Sequence, residues 1–229
     1  MTTNCTACHG SRLEKEYTGK NPDVPADVHF QKLAMQCTRC HSGAEMHMAV
    51  AQGIDMNTMT NTPKCASCHA EILQSGENMQ VHQTHAEKVA CQVCHSLSYK
   101  NCYGCHVGLD DKGLPYYQVD KSEMNFKIGK NPRPTTEHPQ VFTLVRHVPV
   151  NRTIFDFYGK DLLPDFDVLP TWKVSDPHNI QRKTPQNQSC NNCHGNSVLF
   201  LMEKDIPERN IKANQGVFFK GEELPKPIQ

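Results

Sequence analysis

The stretch ACQVCHSLSYKNCYGCH, Ala90 to His106, decides how this chain folds. It holds Cys91, Cys94 and His95, then Cys102, Cys105 and His106: one five-residue frame, C-x-x-C-H, written twice with first cysteines eleven residues apart. The same frame recurs as Cys5/Cys8/His9, Cys37/Cys40/His41, Cys65/Cys68/His69 and Cys190/Cys193/His194, and the six copies use all twelve cysteines of the 229 residues.

Paired cysteines alone have several uses. Structural zinc takes ligands in sets of four, and nothing about zinc requires a histidine after every second cysteine. A disulfide scaffold or a thioredoxin-like redox pair leaves the histidines equally unexplained. The frame is the attachment signature of c-type haem: two thiols form thioethers to the porphyrin vinyl groups, and the adjacent histidine is thereby held beneath the iron. Six haem c groups are therefore expected, with His9, His41, His69, His95, His106 and His194 as proximal iron ligands.

Composition agrees. Hydrophobic residues make up only 37% of the chain, a figure that already includes the twelve cysteines, and the mean hydropathy is −0.61. Ordinary globular chains carry more apolar material. Six flat macrocycles supply the missing core, and without them the chain is not expected to fold. The expected fold is mostly irregular: short α-helices wrapped around a chain of haems, a small β element within 140–150, and few regular strands overall.

Formal charge is zero, from 24 Lys+Arg against 24 Asp+Glu, so no basic surface points to nucleic acid. Haem propionates stand outside that tally and make the holoprotein more acidic than its sequence pI of 7.2. Some lysines and arginines are expected to pair with them. No segment approaches the roughly 18 to 20 apolar residues of a membrane span, which implies a soluble or at most peripheral chain. The opening MTTNC has no apolar signal core, yet haem c is attached after export; a leader removed or lying outside this numbering is expected.

The frames divide the chain into three parts. Residues 1–107 hold five frames at intervals of 32, 28, 26 and 11 residues. Residues 108–189 hold none, but carry nine of the fifteen prolines and nine of the sixteen aromatics, enough for a small packed lobe that supplies distal ligands. Within it, Val141 to Val150 (VFTLVRHVPV) is rich in β-branched residues and reads as a strand or hairpin arm. Residues 190–229 hold the sixth frame, then Asn196 to Lys204 (NSVLFLMEK), where asparagine before an apolar run reads as a capped helix, then a polar tail. The three parts together are expected to form one haem-cored domain.

Distal ligands decide between carrier and enzyme. Thirteen histidines less six proximal ones leave His29, His47, His82, His85, His138, His147 and His178, one more than six irons need. His82 and His85 stand three apart before a frame, on one face of a helix, placed to reach two neighbouring irons. His29 lies in a helical stretch (DVHFQKLAMQ) before Cys37, His47 six residues after His41, His178 before the last frame and His147 in LVRHVPV. These six are the expected distal set. His138, followed by proline in a Pro/Thr-rich loop, is the spare, or exchanges roles with His147. Met46, Met48, Met56 and Met59 are read as soft packing against porphyrin faces. Trp172 and Tyr103 are candidates for stacking on a haem.

In its C-x-x-C-H frames from Cys5 to His194, and in the H-x-x-H at His82 and His85, the chain resembles the multihaem c-type cytochromes. Its haem density resembles more particularly the extracellular hexahaem cytochromes of metal-respiring microbes, some of which polymerise into haem-cored filaments. The resemblance implies an extracellular or cell-surface location, the periplasm being the alternative. It implies redox proteins or extracellular acceptors as partners, and either a homo-oligomeric filament, in which a distal histidine comes from a neighbouring subunit, or a discrete carrier.

Eleven residues between attachment points limit the chain's reach to roughly 36 to 40 Å, less if helical, so the two porphyrins tethered to Ala90–His106 lie close together. Close packing serves electron transfer between irons; substrate chemistry needs an open iron face. The competing function is a reductase of small nitrogen or sulfur oxyanions, with one open haem lined by Arg146, His147 or Tyr158. The variant lysine frame of some such reductases is absent. No catalytic residue is expected in the carrier.

Overall fold

Wherever a whole frame is described, it folds as a helical turn. The computed structural model describes residues 2–51, 62–76, 79–99, 104–120, 126–148, 158–160, 162–163, 165 and 168–228. The first frame closes helix α1 (Thr2–His9) and the fourth is helix α6 (Cys91–His95). The second, third and sixth form 3₁₀ turns at Cys37–Arg39, Cys65–Ser67 and Cys190–Asn192. In these three the histidine N–H donates to the carbonyl of the frame's first cysteine, at 3.0, 2.9 and 2.9 Å. The turn places the two cysteines and the histidine along one side of a short helical segment. Of the fifth frame, Cys102 lies outside the described residues, and Cys105 and His106 lie on strand β1 (Gly104–Leu109).

The chain divides into two compact units. The first comprises residues 1–97, 133–143 and 176–189, with frames one to four; the second comprises 98–132, 144–175 and 190–229, with the sixth frame and the described part of the fifth. The frameless segment 108–189 is thus shared between them.

In the first unit, α1 continues through a π-helical turn at Gly10–Glu14 into α2 (Lys15–Thr18). That helix ends at Gly19, whose φ of 72° suits glycine, and whose missing Cβ would stand 2.6 Å from the Ala26 nitrogen. Helix α3 (Val28–Leu33) starts at Asp27, whose carboxylate accepts from the His29 N–H at 2.8 Å. Helices α4 (Gly43–Ala51) and α5 (Met79–His85) follow. Among the described residues, Val93 is the single fully buried hydrophobic of this unit. Its other buried residues are Pro177 and the polar Glu16, Asp27, Ser96, Thr143, Asn179 and Thr184. Polar ties from the strap 176–189 join its parts. Asn179 Nδ2 donates to the Leu97 carbonyl at 2.8 Å, Gln181 Nε2 to the Ala26 carbonyl at 2.7 Å and Thr184 Oγ1 to the Cys94 carbonyl. Such a unit has hydrogen bonds but almost no apolar interior of its own.

The second unit is built differently. Strand β1 pairs antiparallel with β2 (Pro115–Asp120), His106 opposite Gln118. Asp110 shapes the turn between them by accepting from the Lys112 and Leu114 N–H groups at 2.9 and 2.8 Å, with Gly113 at φ 73°. A three-stranded sheet runs in the order β3 (Phe126–Lys130), β4 (Phe142–His147), β5 (Trp172–Val174). The expected β element at 140–150 is therefore present as β4, whose first two residues belong to the first unit. Val145, Trp172, Leu201, Ile206, Val217 and Phe218 form the apolar core.

One expectation is corrected. Asn196 to Lys204 is not a helix: Phe200 bridges to Ile128, and Met202 to Phe219. The Leu201 N–H donates to the Ile128 carbonyl at 2.8 Å, and the Phe219 N–H to the Leu201 carbonyl at 2.9 Å. Phe200, Leu201 and Met202 are all buried. A short continuous apolar run covered on all sides looks the same in sequence whether helical or extended. Here the β3 backbone supplied partners, and Asn196 caps only a local turn, accepting from the Val198 N–H at 2.9 Å.

Candidate metal centre

Among the described residues the frame thiols do not line an interior of the polypeptide. Cys8, Cys40, Cys65, Cys68, Cys91 and Cys190 are exposed, and Cys5, Cys37, Cys94 and Cys193 are half-buried. The physical reason lies in what each sulfur must reach. A structural free cysteine packs against its own chain and is among the most buried of residue types. A thiol that bonds a porphyrin vinyl group has to stand at the peptide surface on the side that faces the macrocycle. Cys8 shows this most simply, since it sits in the last turn of α1, a helix with no buried residue at all. Among the described residues no disulfide joins any two cysteines.

The histidines are what bring distant parts of the chain together. Four frame histidines each face one histidine from outside the frames. His9 stands 6.4 Å from His47 between ring centroids, with planes 15° apart. The corresponding separations are 6.1 Å for His41 and His178, 6.0 Å for His29 and His69, and 6.2 Å for His82 and His95.

Chemistry gives that distance a meaning. Metal–imidazole bonds of about 2.0 Å, plus the roughly 1.1 Å from each ligating nitrogen to its ring centre, put two imidazoles trans to one metal about 6.2 Å apart. Each pair joins one frame histidine to one free-standing one, as an iron held from both faces requires. The separations and the flanking cysteines fit a haem between each pair.

Three of the paired rings are also oriented. A ligating imidazole needs one nitrogen for the metal and the other fixed by an outer partner. His95 Nδ1 lies 3.0 Å from the Gln181 carbonyl, His178 Nδ1 3.0 Å from the Asp176 carbonyl, and His29 Nδ1 2.8 Å from the Asp27 carboxylate. His194, of the sixth frame, has Nδ1 2.9 Å from the Lys226 carbonyl. In each case Nε2 is the nitrogen left for a metal. Burial, and then the charge of nearby His178, hold His41 below the usual histidine range, which keeps its lone pair available.

The pairing departs from sequence proximity. His29 precedes the second frame but faces the histidine of the third, and His47 follows the second frame but faces that of the first. His178 reaches back to His41 across the length of the chain. Glu16, wholly buried, fixes that distant segment by accepting from the His178 N–H at 2.7 Å and from Arg12 at 2.9 Å. Sequence reading gives Glu16 no role; it looks like one more surface acid, and only the fold buries it.

The remaining histidines are placed as follows. His85 shares α5 with His82, its Nδ1 2.8 Å from the Val81 carbonyl. His138 Nε2 lies 3.4 Å from Thr62 Oγ1. His147, on β4, stands opposite Trp172 with ring centroids 5.1 Å apart, and burial holds it below the usual range. Trp172 itself is buried in the apolar core. Met46 and Met48 lie on α4, whereas Met56, Met59 and Tyr103 fall outside the described residues. Tyr158 is exposed. Arg146 and His147 are neighbours on a strand and so project to opposite faces of the sheet.

Frames one to four lie side by side in order. The Cys37 thiol is pushed up by burial and by Cys5 of the first frame. Cys40 is an exposed residue, but partial desolvation of its thiol, and then Cys68 of the third frame, push it up. A hydrogen bond from Cys65 holds the Cys91 thiol down to about 7, while the same bond, and then partial desolvation of the thiol of this otherwise exposed residue, push Cys65 up. Thr2 Oγ1 and N–H both reach Gln36 Oε1, tying the first frame's helix to the residue before the second.

Residues 22–96 match the model of a family described as "Cytochrome c7 and related cytochrome c". No curated protein and no solved structure matches the chain. The matched stretch covers about a third of the chain and includes the second, third and fourth frames together with His29, His47, His82 and His85. It supports a multihaem c-type cytochrome that binds haem c and transfers electrons.

Proposed function

We propose that the chain is an extracytoplasmic electron carrier in which six haem c groups, most held by two histidines, form a continuous path. The observation that carries this reading is the set of four histidine pairs, each at the spacing of two ligands on opposite faces of one metal. In the first unit the frame residues with His47, His178, His29 and His82 would hold haems one to four in that order. Cys102/Cys105/His106 and Cys190/Cys193/His194 would attach the fifth and sixth, with His85, His147 and, as the spare, His138 available as distal ligands.

Haem supplies a one-electron couple; everything else falls to the chain. The paired histidines would hold each iron from both sides, would keep substrate from it, and would favour lower potentials than methionine ligation. The adjoining cysteines of frames one and two, two and three, and three and four would attach porphyrins near one another, as short-range electron hopping demands. An open-site reductase is less well supported, because Arg146 and His147 point to opposite sides of a sheet and Tyr158 is exposed.

In its finer form the carrier is a secreted homopolymer, a haem-cored filament that passes electrons to extracellular acceptors. That form rests on resemblance in haem density and is separable from the rest. Iron and pyridine haemochrome counts per chain test the number of haems, six being expected. Carbon monoxide added to reduced protein tests closure, with no spectral shift expected; turnover of a small oxyanion at a vacant iron would overturn the carrier. Negative-stain images of fibres, as against single particles, decide the filament.

A further inference from the structure

We infer that Asp27 lowers the reduction potential of the third-frame haem, an inference that rests on the haem reading above. Asp27 is 2% exposed. Its Oδ1 accepts from the His29 backbone N–H at 2.8 Å and lies 2.8 Å from His29 Nδ1; its Oδ2 accepts from the Ile180 N–H at 2.8 Å. This carboxylate is therefore addressed to the imidazole that faces His69.

The contrast with rings whose Nδ1 meets a neutral acceptor carries the inference. His85, His95, His178 and His194 rest Nδ1 on backbone carbonyls, which are neutral acceptors. The buried Glu16 also approaches a distal ring, but its Oε2 stands 3.9 Å from His178 Nδ1, beyond hydrogen-bond reach, and its bonds go to Arg12 and the His178 N–H. A carboxylate drawing on the Nδ1 proton gives the imidazole anionic character and makes Nε2 a stronger donor. A stronger donor, and a nearby negative charge screened little by water, both favour ferric over ferrous iron. One electron enters or leaves and no bond breaks, so the whole effect appears as a potential.

Asp27 also caps α3, so two charge-removing variants that keep a cap acceptor, Asp27→Asn and Asp27→Ser, separate the roles. In spectroelectrochemical titration of the intact holoprotein, one component should rise in both variants while the others stay. The expected size is a tenfold change in the reduction equilibrium, about 59 mV for one electron. The low-spin ferric electron-paramagnetic-resonance signal of one haem should change with it. No component rising, an equal drift of all components, or loss of the third-frame haem from both variants would overturn the inference. A wild-type haem count or spin state at odds with paired histidines would instead sink the haem reading itself.

Discussion

His82 and His95 face each other with ring centroids 6.2 Å apart and planes within 5° of parallel. His82 comes from α5 and His95 from the fourth frame, so deleting one imidazole leaves the other, and the thioethers, in place. His82→Ala is expected to retain haem but to open one iron per chain. Reduced variant should bind carbon monoxide at one haem where wild type binds none. His82→Met should keep that iron closed and raise one component of the redox titration, since a thioether favours the reduced metal more than imidazole does.

The first unit has a single fully buried hydrophobic among its described residues, Val93. At about 25 cal/mol per Å² of apolar surface, one valine cannot offset the ordering entropy of about a hundred residues. A chain with every frame cysteine replaced by alanine, and so without haem, should lack protected amides in residues 2–51 and 62–97. Native-like hydrogen-exchange protection there would show that the peptide organises itself without porphyrin.

The second unit should respond to ordinary core mutations. Leu201 is fully buried, and Leu201→Ala is expected to cost about 2 to 5 kcal/mol. Gly129 admits no side chain: a Cβ would stand 2.6 Å from Val145 Cγ1 and 2.8 Å from the Val217 carbonyl. Gly129→Ala should cost about 1 to 3 kcal/mol through overpacking. Urea midpoints read by exchange of the β3–β5 amides measure both, and a neutral Gly129→Ala would mean that the sheet is looser than described.

Tyr17 gives the protein an alkaline limit. Its hydroxyl donates to the Met35 carbonyl at 2.9 Å, and burial, with the charge of Asp27 next, pushes its pKa up to about 12. The group ionises more readily unfolded, near 10, than folded. Its contribution is therefore complete below pH 10 and is lost as pH rises from 10 through about 12. Urea stability of wild type should fall across that window, and Tyr17→Phe should flatten the fall. An identical alkaline slope in the variant would assign the loss to other groups.

What the sequence made legible was the chemistry that is local. Two thioethers and a proximal histidine must come from five consecutive residues, so each frame can be read wherever it stands. His82 and His85 were legible as a pair for the same reason, one helix face. Which iron each distal histidine serves was not, because partners such as His41 and His178 meet only through the strap that Glu16 fixes. The run after Asn196 failed for a related reason: its conformation is chosen by the β3 and Phe219 backbones on either side, and no periodicity within the run encodes them.

Glu16 yields the last prediction. Its carboxylate is wholly buried in a unit with almost no apolar interior, and it accepts both from Arg12 and from the backbone N–H of a residue proposed to close the second haem. Glu16→Gln conserves shape but turns one acceptor oxygen into a donor, so a cationic guanidinium or an amide N–H must face an N–H₂ group. A charge-assisted bond lost in this way costs about 1.5 to 3 kcal/mol. The loss should fall on the strap first, loosening His178 while leaving the Cys37/Cys40/His41 attachment intact. Thermal unfolding of the holoprotein should come earlier, and carbon monoxide should bind at one haem well below the unfolding temperature. If the variant unfolded earlier but never admitted carbon monoxide, Glu16 would be a stability residue with no hold on the ligand.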